Sequence, residues 1–432
     1  MTAKLRTPHR DQIQFRCESL DQLLPPDHPA RAAWAFAGGL DLTPWTDRIR
    51  SRRGDGGAPA IDPRTLLALW LFATLDGVGT ARAIARLCTD HLAYRWLCGD
   101  EPVNAHTLAD FRTSDPAMLD GLLAQSAASL MHQGLADLTR VAQDGVKVRA
   151  SAGASSFRRE PTLRDCLAAA ETQIAALKET SDAGEGDDSG LSPGARAART
   201  RAADGRQTRV QAALKNLDEL RATNAERRKD KQKDPAELRA STTDPEARWM
   251  KMPDGGFRPA YNVQFATTTT GGVVVGVAVT PEGCDNNQLV PMLEQIETAY
   301  QTKPAEALVD GGYVDRESIE AAEKVHKVKV YAPVKDAAKD RERGKDPFAR
   351  RKTDTDGTAD WRARMGTAAA QSLYKLRGQT AEWVNALARN RGLRQFVVRG
   401  LAKVRSSSLL FALAHNLAQG VRLRAAAVAV AV

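Results

Sequence analysis

Residues 139–153 read TRVAQDGVKVRASAG, and the pattern inside them decides how the chain is built. Val141, Asp144, Val146 and Val148 mark an alternation of apolar and polar side chains, which reads as a strand. Asp144 also precedes a glycine, as many turn residues do, but it interrupts an otherwise apolar run, where a carboxylate without a partner is expensive to bury. Ala, Ser and Gly follow, a sparse region that allows close backbone approach.

Before this stretch, to about Leu135, the chain reads as helix. Asp62-Pro63 opens a helix through LLALWLFATL, apolar on most faces and therefore buried. Gly77-Val78-Gly79 breaks it, and Thr80 can cap the next helix, with Ile84, Ala85 and Leu87. Leu92, Tyr94, Trp96 and Leu97 mark another. After Gly99 and Pro102, Asn104 or Thr107 can cap a short helix in NAHTLADFR that ends at Arg112. Short helices joined by glycine turns fit a helix-turn-helix-like DNA-binding unit, and they equally fit a bundle used for packing or dimerisation. An amphipathic helix from Met118 to Leu135 completes an all-α N-terminal domain over residues 1–137.

After the strand, residues from about 159 to 240 carry no strand signal. PTLRDCLAAAETQIAALKET and Ala195 to Leu220 are helical, Gly184 to Gly194 is a polar loop, and Glu226 to Asp234 is a solvated charge run. This is a helical insertion in a sheet domain that spans 138–432. FRPAYNVQFATTTT and GGVVVGVAVT then form a hairpin around Gly271-Gly272. Asp285 and Asn286 cap the helix QLVPMLEQIETAY; AEALVDGGY is a short strand ending at Asp310; DRESIEAAEKV is a helix and HKVKVYAPV a strand. Lys335 to Gly366 reads as basic and irregular, and helices around Glu382 and through SSLLFALAHNLAQ close the chain.

With the insertion set aside, three strands with hairpin connections precede alternating helices and strands. That order gives an α/β fold, a ribonuclease H-like mixed five-stranded sheet with flanking helices. In such a sheet Asp144 lies in the first strand, Asp310 at the end of the fourth, and Glu382 on a later helix, positions that could converge near one end. Asp310 precedes Gly311-Gly312 and alone also reads as a turn; Glu382 alone reads as a solvated helix residue. Yet from Trp361 to Val432 Glu382 is the one acidic residue among twelve lysines and arginines. Residues 382 and 389 lie two turns apart on one helical face, so Glu382 and Arg389 should point the same way.

Charge agrees with a polyanion partner. The 432 residues carry a net charge of +9, while Lys339 to Arg405 holds 17 basic and 7 acidic residues, a net +10, leaving the remainder near neutral. Five cysteines form no CxxC pair, which argues for a reducing compartment without structural zinc. No GxxxxGK[ST] loop is present, so no ATP-driven step is indicated. The N-terminus lacks a signal-peptide pattern, and the apolar run at 66–75 is too short to span a membrane. The expectation is a cytoplasmic protein.

The chain resembles the DDE transposases of bacterial insertion sequences, in the branch whose late helix carries a Tyr, Arg, Glu, Lys signature. LDQLLPPDHPARAAWAF, GVGTAR, AYRWLCG and HTLADFR carry the likeness in the helical part. QDGVKVRASA, AYNVQFA, LVDGGY, WRARM, YKLRGQTAEWVNA and RGLAKV with LAHNL carry it in the rest. The resemblance implies that Asp144, Asp310 and Glu382 are the catalytic triad and ligate two Mg²⁺, for which Mn²⁺ can substitute. Tyr374 and Arg377 take the signature positions, and Arg389 stands where the signature has lysine. Arg377, Arg389, Arg391, Arg394, Arg399 and Lys403 would hold DNA phosphates. Ser406-Ser407-Ser408 stands where an acidic residue is often found. The implied reaction cleaves the element's ends and joins the 3′-hydroxyl to target DNA. Its partners are the terminal inverted repeats, the target duplex and a second copy of the chain, near the bacterial nucleoid. A nuclease on the same fold without strand transfer, and a catalytically dead DNA-binding relic, are the alternatives.

Overall fold

The computed structural model describes residues 17–51, 58–182, 192–226 and 229–431. Its first part is helical: α1 (Pro29–Gly38), α2 (Thr43–Thr46), α3 (Pro63–Leu75), α4 (Ala81–Asp90), α5 (Leu92–Cys98), α6 (Ala105–Arg112) and α7 (Pro116–His132). Side-chain caps fix where these start. Asp62 accepts the Arg64 N–H, Thr80 that of Ala83, Asn104 that of His106 and Asp115 that of Ala117. Asn104, not Thr107, therefore caps α6. Every residue of α3 from Leu66 to Ala73 is buried, as its apolar faces require.

The strands are β1 (Arg140–Arg149), β2 (Phe157–Arg158), β3 (Ala240–Ser241), β4 (Arg248–Lys251), β5 (Phe257–Thr268), β6 (Val274–Thr280), β7 (Glu306–Leu308) and β8 (Lys329–Tyr331). β1 is central. It pairs antiparallel with β5 from Val141 to Arg149 and parallel with β7, which pairs parallel with β8. The far edge of β5 is shared by β4 along Phe257–Ala260 and then by β6 along Asn262–Thr267. The result is a mixed sheet with helices packed on it, as the strand pattern predicted. β4 is an addition: RWMK buries only Met250 and gives too short an alternation to announce itself.

The insertion is α8 (Glu160–Asp182) and α9 (Pro193–Ala225), packed through Leu163, Ala213 and Leu217. β2 and β3 pair antiparallel across its base. Most of the loop expected at 184–194, and part of the charge run at 226–234, lie outside the described residues.

α10 (Leu289–Tyr300) connects β6 to β7, and α11 (Arg316–Glu320) lies between β7 and β8; α12 (Ala337–Glu342), α13 (Asp356–Met365), α14 (Ala368–Tyr374), α15 (Leu376–Asn390) and α16 (Leu401–Ala431) end the chain. Two expectations need correction. The segment 335–366 is irregular only in part: helices occupy 337–342 and 356–365, with 343–355 irregular between them, and its charges find partners, Arg362, 6% exposed, with Asp354 at 2.9 Å, and Arg364 with Glu323. The last helix is also longer than SSLLFALAHNLAQ. Ser406 and Ser408 turn their hydroxyls onto the carbonyls of Ala402 and Val404, and the alanine-rich tail continues the helix.

One face of the sheet joins β5 and β6 to α3, α7 and α16; a second core lies among α10, β7, β8 and α13. All five cysteines are free, and no described helix is long and apolar enough to cross a membrane.

Candidate active site

Strand β1 delivers Asp144, and the loop after α15 is tied beside it. Arg149 donates its N–H to the Arg394 carbonyl (3.1 Å), and its own carbonyl accepts from the Phe396 N–H (2.8 Å). This lays α15 across β1. Asp310 follows β7 directly and accepts the Gly312 N–H at 2.7 Å, so it is a turn residue and a site residue at once. Glu382 projects from the second turn of α15, 57% exposed.

These three carboxylates meet at Arg377. Its guanidinium lies 2.9 Å from Asp144, 4.0 Å from Asp310 and 2.8 Å from Glu382. Asn385, one turn beyond Glu382, donates to the other Asp144 oxygen at 2.9 Å, and the Gly145 N–H adds a bond of 3.0 Å. Burial pushes the Asp144 carboxyl above its ordinary range, Arg377 opposes this, and Asp310 adds to it. Burial alone would weaken the Arg377 cation; Asp144, Tyr374, Asp310 and Glu382 outweigh it and hold its pKa above the usual value. Tyr374 is half-buried at the end of α14, and burial raises its phenol.

Behind the carboxylates lies a polar layer that sequence reading did not assign to the site. Asp285, read as a helix cap, accepts from Asn262 (2.8 Å) and Gln264 (2.7 Å) on β5. The Gln264 carbonyl accepts from Gln143 (3.1 Å) and from the buried Tyr313 hydroxyl. Gly145 is where this layer meets Asp144. A Cβ there would fall 2.4 Å from Asp285 Oδ1, 2.5 Å from Gln264 Nε2 and 2.7 Å from Asn262 Oδ1. Gly145 is therefore required by close approach within an unbroken strand, not by a turn. The usable sequence signal was YNVQF, which places two amides on alternate positions of an apolar strand.

The basic residues divide. Arg377 is drawn in among the acids. Arg389, Arg394, Arg399 and Lys403 are exposed, while Arg391 is half-buried. Arg394 and Arg399 each spend one donor on a backbone carbonyl, of Arg389 and Ser151 respectively. Glu382 pairs with Arg377; among the described residues no ion pair joins it to Arg389.

Three carboxylates against one guanidinium leave a net −2 when all are ionised. An oxygen-rich, negatively charged donor set of this kind suits a hard cation. As they stand, among the described residues no three His, Cys, Asp or Glu side chains are grouped to hold a metal. Arg377 is the cation there.

Comparison with known families gives the class first. Residues 18–114 match a model described as a transposase domain, and residues 334–421 match one described as a transposase DDE domain. Matched in both its helical and its late segment, the chain is thereby supported as a DDE transposase of an insertion element. No curated protein and no solved structure matches.

Proposed function

We propose that this transposase cleaves the ends of its own insertion sequence and joins the freed 3′-hydroxyl to target DNA, with Asp144, Asp310 and Glu382 as its catalytic acids. The convergence of these three carboxylates, from β1, the end of β7 and α15, on one guanidinium carries the reading. The strand order β6-β5-β1-β7-β8, antiparallel as far as β1 and parallel after it, supports a ribonuclease H-like sheet.

Asp144, Asp310 and Glu382 are the residues that would hold divalent cations, Mg²⁺ or Mn²⁺, through carboxylate oxygens. When bound, such ions would supply activation of the attacking oxygen and charge stabilisation of the leaving one in a phosphoryl displacement. The chain's own residues supply the rest. Asn385 and the Gly145 N–H fix the Asp144 carboxylate from opposite oxygens. Arg377 offsets one of the three negative charges in the free protein, and its remaining donors suit a phosphate oxygen. Exposed Arg389, Arg394, Arg399 and Lys403 hold the DNA backbone without reading its sequence. Tyr374, beside Arg377, stacks on or bonds to a displaced nucleotide. Pairing two ends calls for a dimer or larger assembly, acting at the nucleoid in the bacterial cytoplasm.

The test uses purified protein, labelled terminal-repeat DNA and Mg²⁺. The parent should yield both cut ends and joined products, and Asp144→Ala and Asp310→Ala should yield neither. Cleavage without joined products would make the protein a nuclease. Undiminished cutting and joining by either variant would remove the acid assignment.

A further inference from the structure

We propose that Arg112 and Arg391 together bind a phosphate oxyanion, supplied by the DNA backbone, in the cleft between the helical N-terminal part and the end of α15. The oxyanion chemistry stands on the cleft itself; DNA as its source rests on the transposase reading.

The cleft is a cavity of about 170 Å³ between the turn Gly77–Thr80 and the loop that runs from Arg391 to Val397. None of its lining residues belongs to the carboxylate cluster. Arg112, the last residue of α6, is 9% exposed. Its guanidinium lies 4.9 Å from the centre of the Trp70 ring, and Nη1 donates to the Gly79 carbonyl at 3.1 Å. Its Nε is buried without a partner. Arg391 lines the other wall, half-buried, and its Nη1 is likewise buried without a partner.

Neither arginine has an ion pair among the described residues, and burial pushes both guanidinium pKa values down with no carboxylate to oppose it. Two cations that face one small cavity repel each other, and each lacks part of its hydrogen bonding. A single tetrahedral oxyanion answers both needs: it neutralises the pair and accepts from the idle donors. Apolar walls from Trp70, Phe396, Leu410 and Phe411 lower the local dielectric and strengthen that attraction. Beyond Arg391 the chain leads directly to exposed Arg394, Arg399 and Lys403, so a DNA strand held there passes the mouth of the cleft. The first part of the chain thereby contributes a phosphate contact through Arg112, whether or not any helix enters a groove.

Two measurements on the full chain test this. In the first, inorganic phosphate is titrated against chloride at matched ionic strength while the melting temperature is followed. Phosphate should raise it in the parent, and Arg391→Gln and Arg112→Lys should each lose most of the rise. Arg391→Gln, at a half-exposed site, keeps the test decisive if Arg112→Lys folds poorly. No rise in the parent, or an equal rise in Arg391→Gln, overturns the oxyanion site. In the second, binding of terminal-repeat duplex is measured across salt concentrations. Arg391→Gln should make the slope of log K against log salt shallower by about 0.9, one phosphate contact. An unchanged slope alongside a lost phosphate response overturns DNA as the source. If the parent binds no DNA but keeps an Arg391-dependent phosphate response, the transposase reading fails while the oxyanion site stands.

Discussion

The Arg377 guanidinium is 11% exposed and answers carboxylates from three separate elements, so removing it strands charge in unequal amounts. Asp144, 16% exposed, would keep only Asn385 and the Gly145 N–H; Glu382, 57% exposed, would simply return to water. Arg377→Ala should therefore cost about 3–5 kcal/mol, the usual penalty for orphaning a buried partner. Glu382→Gln should cost under about 1 kcal/mol, as for an exposed pair. Urea unfolding in metal-free buffer compares them, and similar losses would show that Arg377 does not organise the acids. At this scale the three acids were legible because each stands out locally: a charge in an apolar strand, an Asp before two glycines, a lone acid in a basic tail. Arg377 was read as facing phosphate. Its inward position follows from the strand-to-helix crossing of β1 and α15, about which nothing near residue 377 gives notice. Asp285 was missed for the same reason, since its partners Asn262 and Gln264 reach it across the β5 face.

Among the elements, α16 has the largest structural task. Its Asn416 accepts the Val274 N–H and donates to the Val274 carbonyl, both at 2.8 Å, pairing with the free edge of β6 as another strand would. The neighbouring His415 meets the Gly272 carbonyl through Nε2 at 2.9 Å, with Trp383 edge-on at 5.6 Å. Burial lowers its pKa from 6.5 to about 4. Above pH 6.5 the imidazole is neutral folded and unfolded. Between 6.5 and 4 only the unfolded chain takes the proton, so stability falls as pH falls, by about 1.4 kcal/mol per unit from this group, and levels below 4. Denaturant melts of the parent and His415→Gln between pH 7 and 4.5 should show the parent losing more. Parallel losses would mean that His415 is not held neutral. The sequence places LAHNL in a helix but does not show this contact, because edge pairing depends on a strand some 140 residues earlier. β1 was legible from alternation and β5 and β6 from the hairpin signature around Gly271-Gly272; β7 and β8, of three residues each, are only the cores of the short runs AEALVDGGY and HKVKVYAPV.

For the whole molecule, the consequential feature is that the last helix returns to the first ones. Leu409, Leu410, Phe411 and Leu413 of α16 share one core with Leu67 and Leu71 of α3 and Leu119 and Leu122 of α7. Polar contacts follow the same seam: Arg405 pairs with Asp120 at 2.5 Å, Ser406 donates to the Ser114 carbonyl at 2.8 Å, and Asn416 to Ser126 at 3.2 Å. Periodicity marks residues 1–137 as helical but cannot show this, since it reports which face of a helix is apolar and not what covers it. The consequence is testable by cutting the chain. Residues 138–432 expressed alone would present the apolar face of α16 to water and leave Arg405 without Asp120. An exposed patch of that kind drives association. The fragment should therefore aggregate, or bind a hydrophobic dye without a cooperative melt, and co-expression with residues 1–137 should restore a folded complex. A monomeric fragment that melts at the parent's temperature would show that the seam is dispensable. If the seam holds, the turn Gly77–Thr80 is fixed against the loop after α15, and the cleft between Arg112 and Arg391 is rigid before DNA arrives. A phosphate held there would then be positioned by the same core that positions α15 over Asp144.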